Sequence, residues 1–156
     1  DFEAAAAIYR QARQEAEERG DAFIAAQADV RSASLANHQG RPADALARGE
    51  RALDFFRPGV DEVHRYRAGA ETIRALIALG RVGEARAMFE RYPLSATDES
   101  VERQALVRLM AARVEAAAGR PEQAAATVRH LLAELPVDWR LPLRPEVERF
   151  TVELSR

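Results

Sequence analysis

The sequence contains no cysteine and no lysine, and aromatic residues make up only 6 % of it. Without cysteine, the protein has no disulfide bond, no thiolate nucleophile and no zinc site built on cysteine. No apolar stretch approaches the roughly 20 residues that a membrane-spanning helix needs, and no signal peptide is visible. These absences predict a cytoplasmic protein without membrane contact.

The charged residues are balanced and interleaved along the chain. The 23 arginines and 25 acidic residues give a net charge of −2 at pH 7. A nucleic-acid-binding domain usually carries a clustered basic face, which this sequence lacks, so we predict that this domain contacts no nucleic acid. With 156 residues, of which 47 % are hydrophobic, the chain is long enough to bury one core.

A short turn pattern recurs three times at a nearly constant spacing. Gly40, Gly80 and Gly119 lie 40 and then 39 residues apart, and each is followed at once by arginine and five residues later by alanine. Residues 1–5 match the end of the same pattern without its glycine, so we expect a further segment upstream. A fixed period of this size predicts stacked helix pairs, because each pair needs a neighbour to bury its apolar face.

Apolar residues recur at helical spacing between these turns. The pattern predicts seven helices, over residues 1–19, 22–39, 42–56, 62–79, 82–92, 99–118 and 121–135. Residues 95–98 offer several N-caps for the sixth helix. Residues 145–155 fit an eighth helix, with Val147, Phe150 and Leu154 on one face, but apolar residues there also alternate as in a strand.

The residues around each turn follow a second pattern, in which a large apolar residue lies between two small ones. The small positions hold Ala5, Ala45, Ala85, Ala124, Ala12 and Ala52, and the large position holds Tyr9 and Phe89. This pattern resembles the tetratricopeptide repeat over roughly residues 1–135. Gly49 departs from it at the large position, and Tyr92 and Leu131 depart from it at the second small position. The tryptophan usual in the family's first helix is absent.

The resemblance implies an all-α fold. It implies a right-handed solenoid of antiparallel helix pairs, with the first helix of each pair on the concave side. The period near 40 exceeds the family's roughly 34 residues, and it is similar to the repeats of large bacterial signalling proteins such as maltose-regulator-type activators. The repeats would occupy residues 1–136. A connector and a capping helix of the same domain would occupy 137–156, where Trp139, Phe150 and Leu154 would cover the last pair.

No motif for catalysis or metal binding is present in the sequence. His38, His64 and His130 fall in different repeats, and none of them forms a metal-binding pair at helical spacing. We therefore predict a protein that is not an enzyme and that holds no cofactor and no metal.

The resemblance also indicates which residues face the groove. Positions 13, 10, 6 and 3 residues before each turn glycine give twelve groove positions, three of which hold Ala70, Leu106 and Ala116. The other nine form, with one adjacent histidine, the predicted ligand-binding set: Gln27, Val30, Ser34, Asn37, His38, Arg67, Arg74, Ile77, Leu109 and Arg113. Arg74 and Arg113 occupy equivalent positions, and guanidinium groups bind carboxylates in a bidentate manner. An acidic peptide segment or a chain terminus is the predicted guest. Exposed ion pairs, such as Arg74 with Glu71, explain the same arginines without a ligand.

Three functions fit these observations. The first is a non-catalytic protein–protein interaction scaffold that binds a peptide or protein segment in its concave groove. The alternative is an effector-sensing or regulatory repeat domain of a larger bacterial signalling or transcription regulator. The second alternative is self-association, with a homodimer formed through an open N-terminal face that carries Phe2, Ile8 and Tyr9.

Overall fold

The computed structural model describes residues 1–93, 100–135 and 143–155, and this part of the chain contains eight α-helices and no strand. The helices are α1 (Phe2–Glu18), α2 (Ala22–His38), α3 (Pro42–Phe55), α4 (Glu62–Ala78), α5 (Val82–Phe89), α6 (Val101–Ala117), α7 (Pro121–Glu134) and α8 (Leu143–Leu154). The predicted all-α class is confirmed, and the helical alternative for 145–155 is the one observed. No helix in the described ranges is long and apolar enough to cross a membrane.

The repeated glycines form the corners between helices. Gly40 and Gly80 have positive φ angles of 67° and 74°, which glycine adopts without the steric cost of a Cβ atom. The residue after Gly40 donates its backbone N–H to the carbonyl oxygen of Ala36 at 2.9 Å, and the residue after Gly80 donates to Leu76 at 2.8 Å. These bonds satisfy carbonyl groups at the helix end. The same corner recurs at Gly119.

Three helix ends differ from the sequence prediction by two residues or more, and one of them is the start of α8 at Leu143 rather than at residue 145. Helix α5 ends at Phe89 rather than at Tyr92, and the next residues form turns in which Arg91 and Tyr92 donate their backbone N–H groups to residues three positions earlier. Helix α6 has Ser100 as its N-cap, and the side-chain oxygen accepts the backbone N–H three residues further on. The N-caps predicted at residues 95–98 lie outside the described residues.

The even-numbered helices form one continuous layer. Helix α4 contacts both α2 and α6, and α6 also contacts α8. Each odd-numbered helix packs against the even-numbered helices next to it in sequence. The repeated alanines lie in these contacts, because Ala45, Ala85 and Ala124 are completely buried. Small side chains at these positions allow the helices to pack closely.

Two departures from the repeat pattern are accommodated by matched partners on helix α4. A Cβ atom on Gly49 would lie 2.2 Å from Oγ1 of the buried Thr72, so the missing side chain leaves the space that this threonine fills. A Cβ atom on Gly69 would lie 2.2 Å from Cζ of Tyr92. Tyr92, a large residue at a position where the repeat pattern has a small one, therefore packs on Gly69 of the facing helix.

Helix α8 packs against α6 and α7 through the apolar face predicted for it. Val147 and Phe150 are buried in the larger hydrophobic core, and Leu154 is half-buried against it. Trp139, which was predicted to cover the same surface, lies outside the described residues. The arrangement brings α8 beside the even-numbered layer, where its polar face borders the site described next.

Candidate functional site

A cavity of ≈ 430 Å³ lies between helices α1, α2, α4, α6 and α8. Its apolar wall consists of Ala5, Tyr9, Ala12, Ile24, Ala28, Val30, Leu35, Ala70, Leu106 and Leu143. Its polar wall consists of Gln27, Arg31, Ser34, His38, His64, Arg67, Glu71, Glu102, Glu146 and Arg149. A cavity of this volume, lined by both apolar and polar side chains, is of the size of small-molecule sites.

The structure places half of the predicted ligand-binding set on the wall of this cavity. The lining members are Gln27, Val30, Ser34, His38 and Arg67. The other five lie behind the wall: Asn37, Arg74, Ile77, Leu109 and Arg113. Leu109 is buried in the larger core and Ile77 packs against it, so neither side chain belongs to the cavity surface. The three polar members form a network next to the cavity.

Arg113 has a protein partner for its guanidinium group. The residue is only 9 % exposed, and its Nη2 atom donates to Oε1 of Glu146 on helix α8 at 2.8 Å. Its guanidinium carbon also lies 5.3 Å from the ring centroid of Phe150. Burial lowers the pKa of Arg113, and the Glu146 carboxylate opposes that shift. The carboxylate that we predicted as a guest at this arginine is thus present as a side chain of the same protein.

Arg74 approaches the same carboxylate. Its Nη1 atom lies 3.9 Å from Oε1 of Glu146 and is buried without a hydrogen-bond partner among the described residues. The exposed pair of Arg74 with Glu71, which was the alternative explanation for this arginine, is not formed at the surface, because Glu71 is only 8 % exposed. Arginines at equivalent positions of successive repeats therefore converge on one residue of α8.

Glu71 is a buried carboxyl group on the cavity wall. The Nδ2 atom of Asn37 donates to its Oε2 atom at 2.8 Å and to its backbone oxygen at 2.9 Å. Burial raises the pKa of Glu71, and the nearby charge of Glu146 raises it further. The hydrogen bond from Asn37 and the charges of Arg74 and Arg113 oppose these effects. The net effect is a raised pKa, because the cost of removing the carboxylate from water exceeds the stabilisation that these partners provide.

His38 is held in one tautomer. Its Nδ1 atom lies 2.7 Å from the backbone oxygen of Ser34, and a carbonyl oxygen only accepts, so Nδ1 carries the hydrogen. Burial lowers the pKa of His38, which keeps the ring neutral at pH 7. The Nε2 atom of the neutral ring presents a lone pair, and this atom is buried without a hydrogen-bond partner in the described ranges.

Two polar pairs connect the helices that line the cavity. Arg67 of α4 forms an ion pair with Glu102 of α6. Gln27 of α2 places its Nε2 atom 2.8 Å from Nε2 of His64 on α4. These pairs hold the three helices at fixed separations across the cavity, and they satisfy polar groups that would otherwise face an apolar wall.

Several wall residues were missing from the sequence prediction. Arg31 and Glu71 both lie nine residues before a turn glycine, so one further position in the repeat register would have identified them. Glu146 and Arg149 come from helix α8, which lies outside the repeat pattern. Their contribution depends on how α8 packs, and no spacing within the repeats encodes it.

Neither similarity to a known protein nor a metal-binding cluster indicates the function of this chain. The chain matches no protein-family model, no curated protein and no solved structure. Within the described residues, no group of three or more histidine, aspartate or glutamate side chains is arranged to hold a metal ion. Function is therefore inferred from the side chains that surround the cavity.

Proposed function

We propose that this chain is a non-catalytic, effector-sensing helical-repeat module whose ligand binds in the cavity. The observation that carries the proposal is the cavity itself, to which four helices of the repeats and helix α8 all contribute. Its volume of ≈ 430 Å³ and its division into an apolar wall and a polar wall suit a compact ligand that carries both kinds of group.

We also infer a tetratricopeptide-like architecture, which would place the cavity on the concave side of the repeats. Repeated glycine corners, buried alanines at equivalent positions and a continuous layer of even-numbered helices are expected of stacked helix pairs. In that arrangement the even-numbered helices are the first helices of their pairs and line the concave side. Helix α8 packs on α6 where the first helix of a further pair would lie, and so acts as a cap.

The position of α8 favours a compact ligand over an extended peptide. Glu146 and Phe150 cover the part of the layer around Arg113, so a segment running along all three repeats would have to displace α8. A compact ligand in the cavity instead contacts Leu143 and Arg149 of α8 directly. Such a ligand stabilises the docked position of α8, because it binds that state better than a state with α8 displaced.

The proposal is tested by filling the cavity. Ala70 lines the cavity on α4, whereas Ala78 is exposed on the same helix and does not line it. We expect small molecules from a metabolite library to raise the melting temperature of the wild type and of Ala78→Phe, but not of Ala70→Phe. Ligand-observed NMR checks binding directly. Compounds that stabilise all three proteins equally would bind elsewhere and would rule out the cavity as the site.

A protein-interaction scaffold is the second candidate. It is favoured by the exposed side chains of Ile24, Arg31 and Arg149 at the cavity, which would accept an acidic segment of a partner. Exchanging Arg31 and Arg149 for glutamate tests it more cleanly than exchanging Arg113, since Arg113 is buried. Loss of a captured partner by this double variant would support the scaffold, and equal capture would exclude this surface.

A further inference from the structure

The wall of the cavity carries two guanidinium groups that no carboxylate of the described residues neutralises. Each carboxyl group of the wall accepts a hydrogen bond from a neighbouring side chain: Glu71 from Asn37, Glu102 from Arg67 and Glu146 from Arg113. Arg31 and Arg149 also line the cavity, and neither has an ion-pair partner in the described ranges. The cavity is therefore complementary in charge to an anionic ligand.

One end of the cavity is formed around His38. Arg74, Arg149 and Glu146 lie close enough to this ring for their charges to act on its pKa. The Nε2 lone pair of His38 and the Nη1 donor of Arg74 are both buried without a hydrogen-bond partner among the described residues. Buried polar atoms are rarely left without partners, so the unsatisfied acceptor of His38, which lines the cavity, indicates a bound group that donates to it.

Arg149 is the guanidinium group of the cavity wall at the His38 end, and its charge acts on the ring of His38. The two wall carboxyl groups nearby already have side-chain donors, since Arg113 donates to Glu146 and Asn37 donates to Glu71. A carboxylate of a ligand is therefore attracted to Arg149.

We propose that the ligand is a small hydroxycarboxylic acid with an apolar body, its carboxylate at Arg149 and its hydroxyl group donating to Nε2 of His38. This inference rests on the proposed effector-binding function and names the chemical class of the effector. The apolar body lies against the apolar wall, which includes Tyr9 and Leu106.

Each part of this ligand matches a specific group in the cavity. Guanidinium groups donate forked hydrogen bonds to carboxylates, and such charge-assisted bonds are the strong ones in proteins. The neutral ring of His38 has no hydrogen on Nε2, so the ligand must supply the donor there, and a hydroxyl group does so. An amine would be repelled by the adjacent arginines Arg74 and Arg149.

Three probes with the same eight-carbon chain test the inference by isothermal titration calorimetry at pH 7.5. They are 2-hydroxyoctanoate, octanoate without the hydroxyl group, and 1,2-octanediol without the carboxylate. We expect octanoate to bind about threefold more weakly than 2-hydroxyoctanoate, since one neutral hydrogen bond is lost. We expect the diol to bind at least about tenfold more weakly, since the charge-assisted bonds are lost.

Variants assign these preferences to residues. Arg149→Gln should weaken 2-hydroxyoctanoate binding about tenfold and leave diol binding unchanged. Arg129→Gln, an exposed exchange on α7 away from the cavity, should change neither. His38→Phe should remove the difference between 2-hydroxyoctanoate and octanoate. Circular dichroism confirms that each variant remains helical, and Arg149 is exposed, so its exchange is the less disruptive of the two.

The outcomes separate this inference from the proposed function. Equal binding of diol and hydroxy acid, or full binding by Arg149→Gln, overturns the ligand class. If Ala70→Phe nevertheless abolishes binding of both the diol and the hydroxy acid, the cavity remains the effector site. Absence of binding by all three probes up to about 1 mM also overturns the ligand class, and the library screen then decides the proposed function. If Ala70→Phe binds the hydroxy acid as strongly as the wild type does, both the ligand class and the proposed function are overturned.

Discussion

At the scale of single residues, Glu71 is the clearest case of a side chain whose chemistry is set by its surroundings. It lies on α4, where it is buried, and its carboxyl group accepts a hydrogen bond from Asn37. Burial raises the pKa of Glu71 above its value of 4.5 in the unfolded chain. The folded protein therefore binds a proton more tightly at this site than the unfolded protein does.

This shift makes stability depend on pH in a defined direction. Because the folded-state pKa of Glu71 is raised, its contribution to the free energy of unfolding is fully present below pH 4.5 and is lost as the pH rises through the folded-state pKa. Glu71→Gln keeps an acceptor for Asn37 but has no titrating proton. We expect urea unfolding from pH 4.5 upwards to show a smaller fall in stability for Glu71→Gln than for the wild type.

The exposed exchange Glu122→Gln is the matched control for that experiment. It should follow the wild-type pH profile, including the contribution of other titrating groups such as His38. A Glu71→Gln profile parallel to the wild-type profile would show that Glu71 titrates normally in the folded protein.

At the scale of helices, the contact between α3 and α4 depends on a missing side chain. Gly49 lies in the interior of α3, where glycine costs roughly 1 kcal/mol relative to alanine. Glycine is needed at this position despite its lower helix propensity, because a Cβ atom there would lie 2.2 Å from Oγ1 of Thr72 and 3.3 Å from its Cβ. Close approach of the two helices thus outweighs the helix propensity of a single position.

Gly49→Ala should therefore destabilise the protein although alanine favours helix. We expect a loss of about 1–3 kcal/mol in the free energy of unfolding, from overpacking against Thr72. Gly83→Ala is the matched control, because nothing lies within 4 Å of a Cβ atom at that position in α5. It should be neutral or should stabilise by about 0.4–1 kcal/mol. Chemical denaturation measures both values.

A second exchange distinguishes a local clash from a general effect. Thr72→Ala removes Oγ1, so the double variant Gly49→Ala with Thr72→Ala should recover part of the stability lost by Gly49→Ala alone. Strictly additive losses in the double variant would show that the two positions do not interact. They would contradict the close helix contact described above.

At the scale of the whole molecule, the apolar residues left exposed on α1 bear on self-association. Ile8 is 63 % exposed and Phe2 is 56 % exposed, whereas Tyr9 is half-buried on the cavity wall. Tyr9 therefore belongs to the cavity as well as to the N-terminal face on which it was predicted. Exchanges at Ile8 probe the face without changing the cavity.

We expect the mass of the wild type, measured by analytical ultracentrifugation, to rise with concentration if this face pairs two copies of the chain. Ile8→Glu should keep the protein monomeric, because it places a charge in an apolar contact. Val152→Glu, an exchange at an exposed valine on α8, is the control and should leave the association unchanged. A wild type that remains monomeric at all concentrations would exclude self-association through α1.

The sequence by itself determined the helical class, the helix positions and the corners between helices. These features depend on local rules: glycine adopts positive φ at Gly40 and Gly80, alanine favours helix, and apolar spacing marks the buried face. It also grouped Gln27, Ser34 and His38, which line the same cavity, because residues in a regular helix share a face at fixed spacing.

Only the tertiary structure decided what those residues face. The contact of Arg113 with Glu146 joins positions 33 residues apart, of which the second lies on α8, outside the repeat pattern. The burial of Glu71 and the closure of the cavity follow from the same docking of α8 and from the packing of α2 against α4. Such contacts depend on how complementary surfaces meet, which local spacing does not encode, and they set the charge and shape of the site.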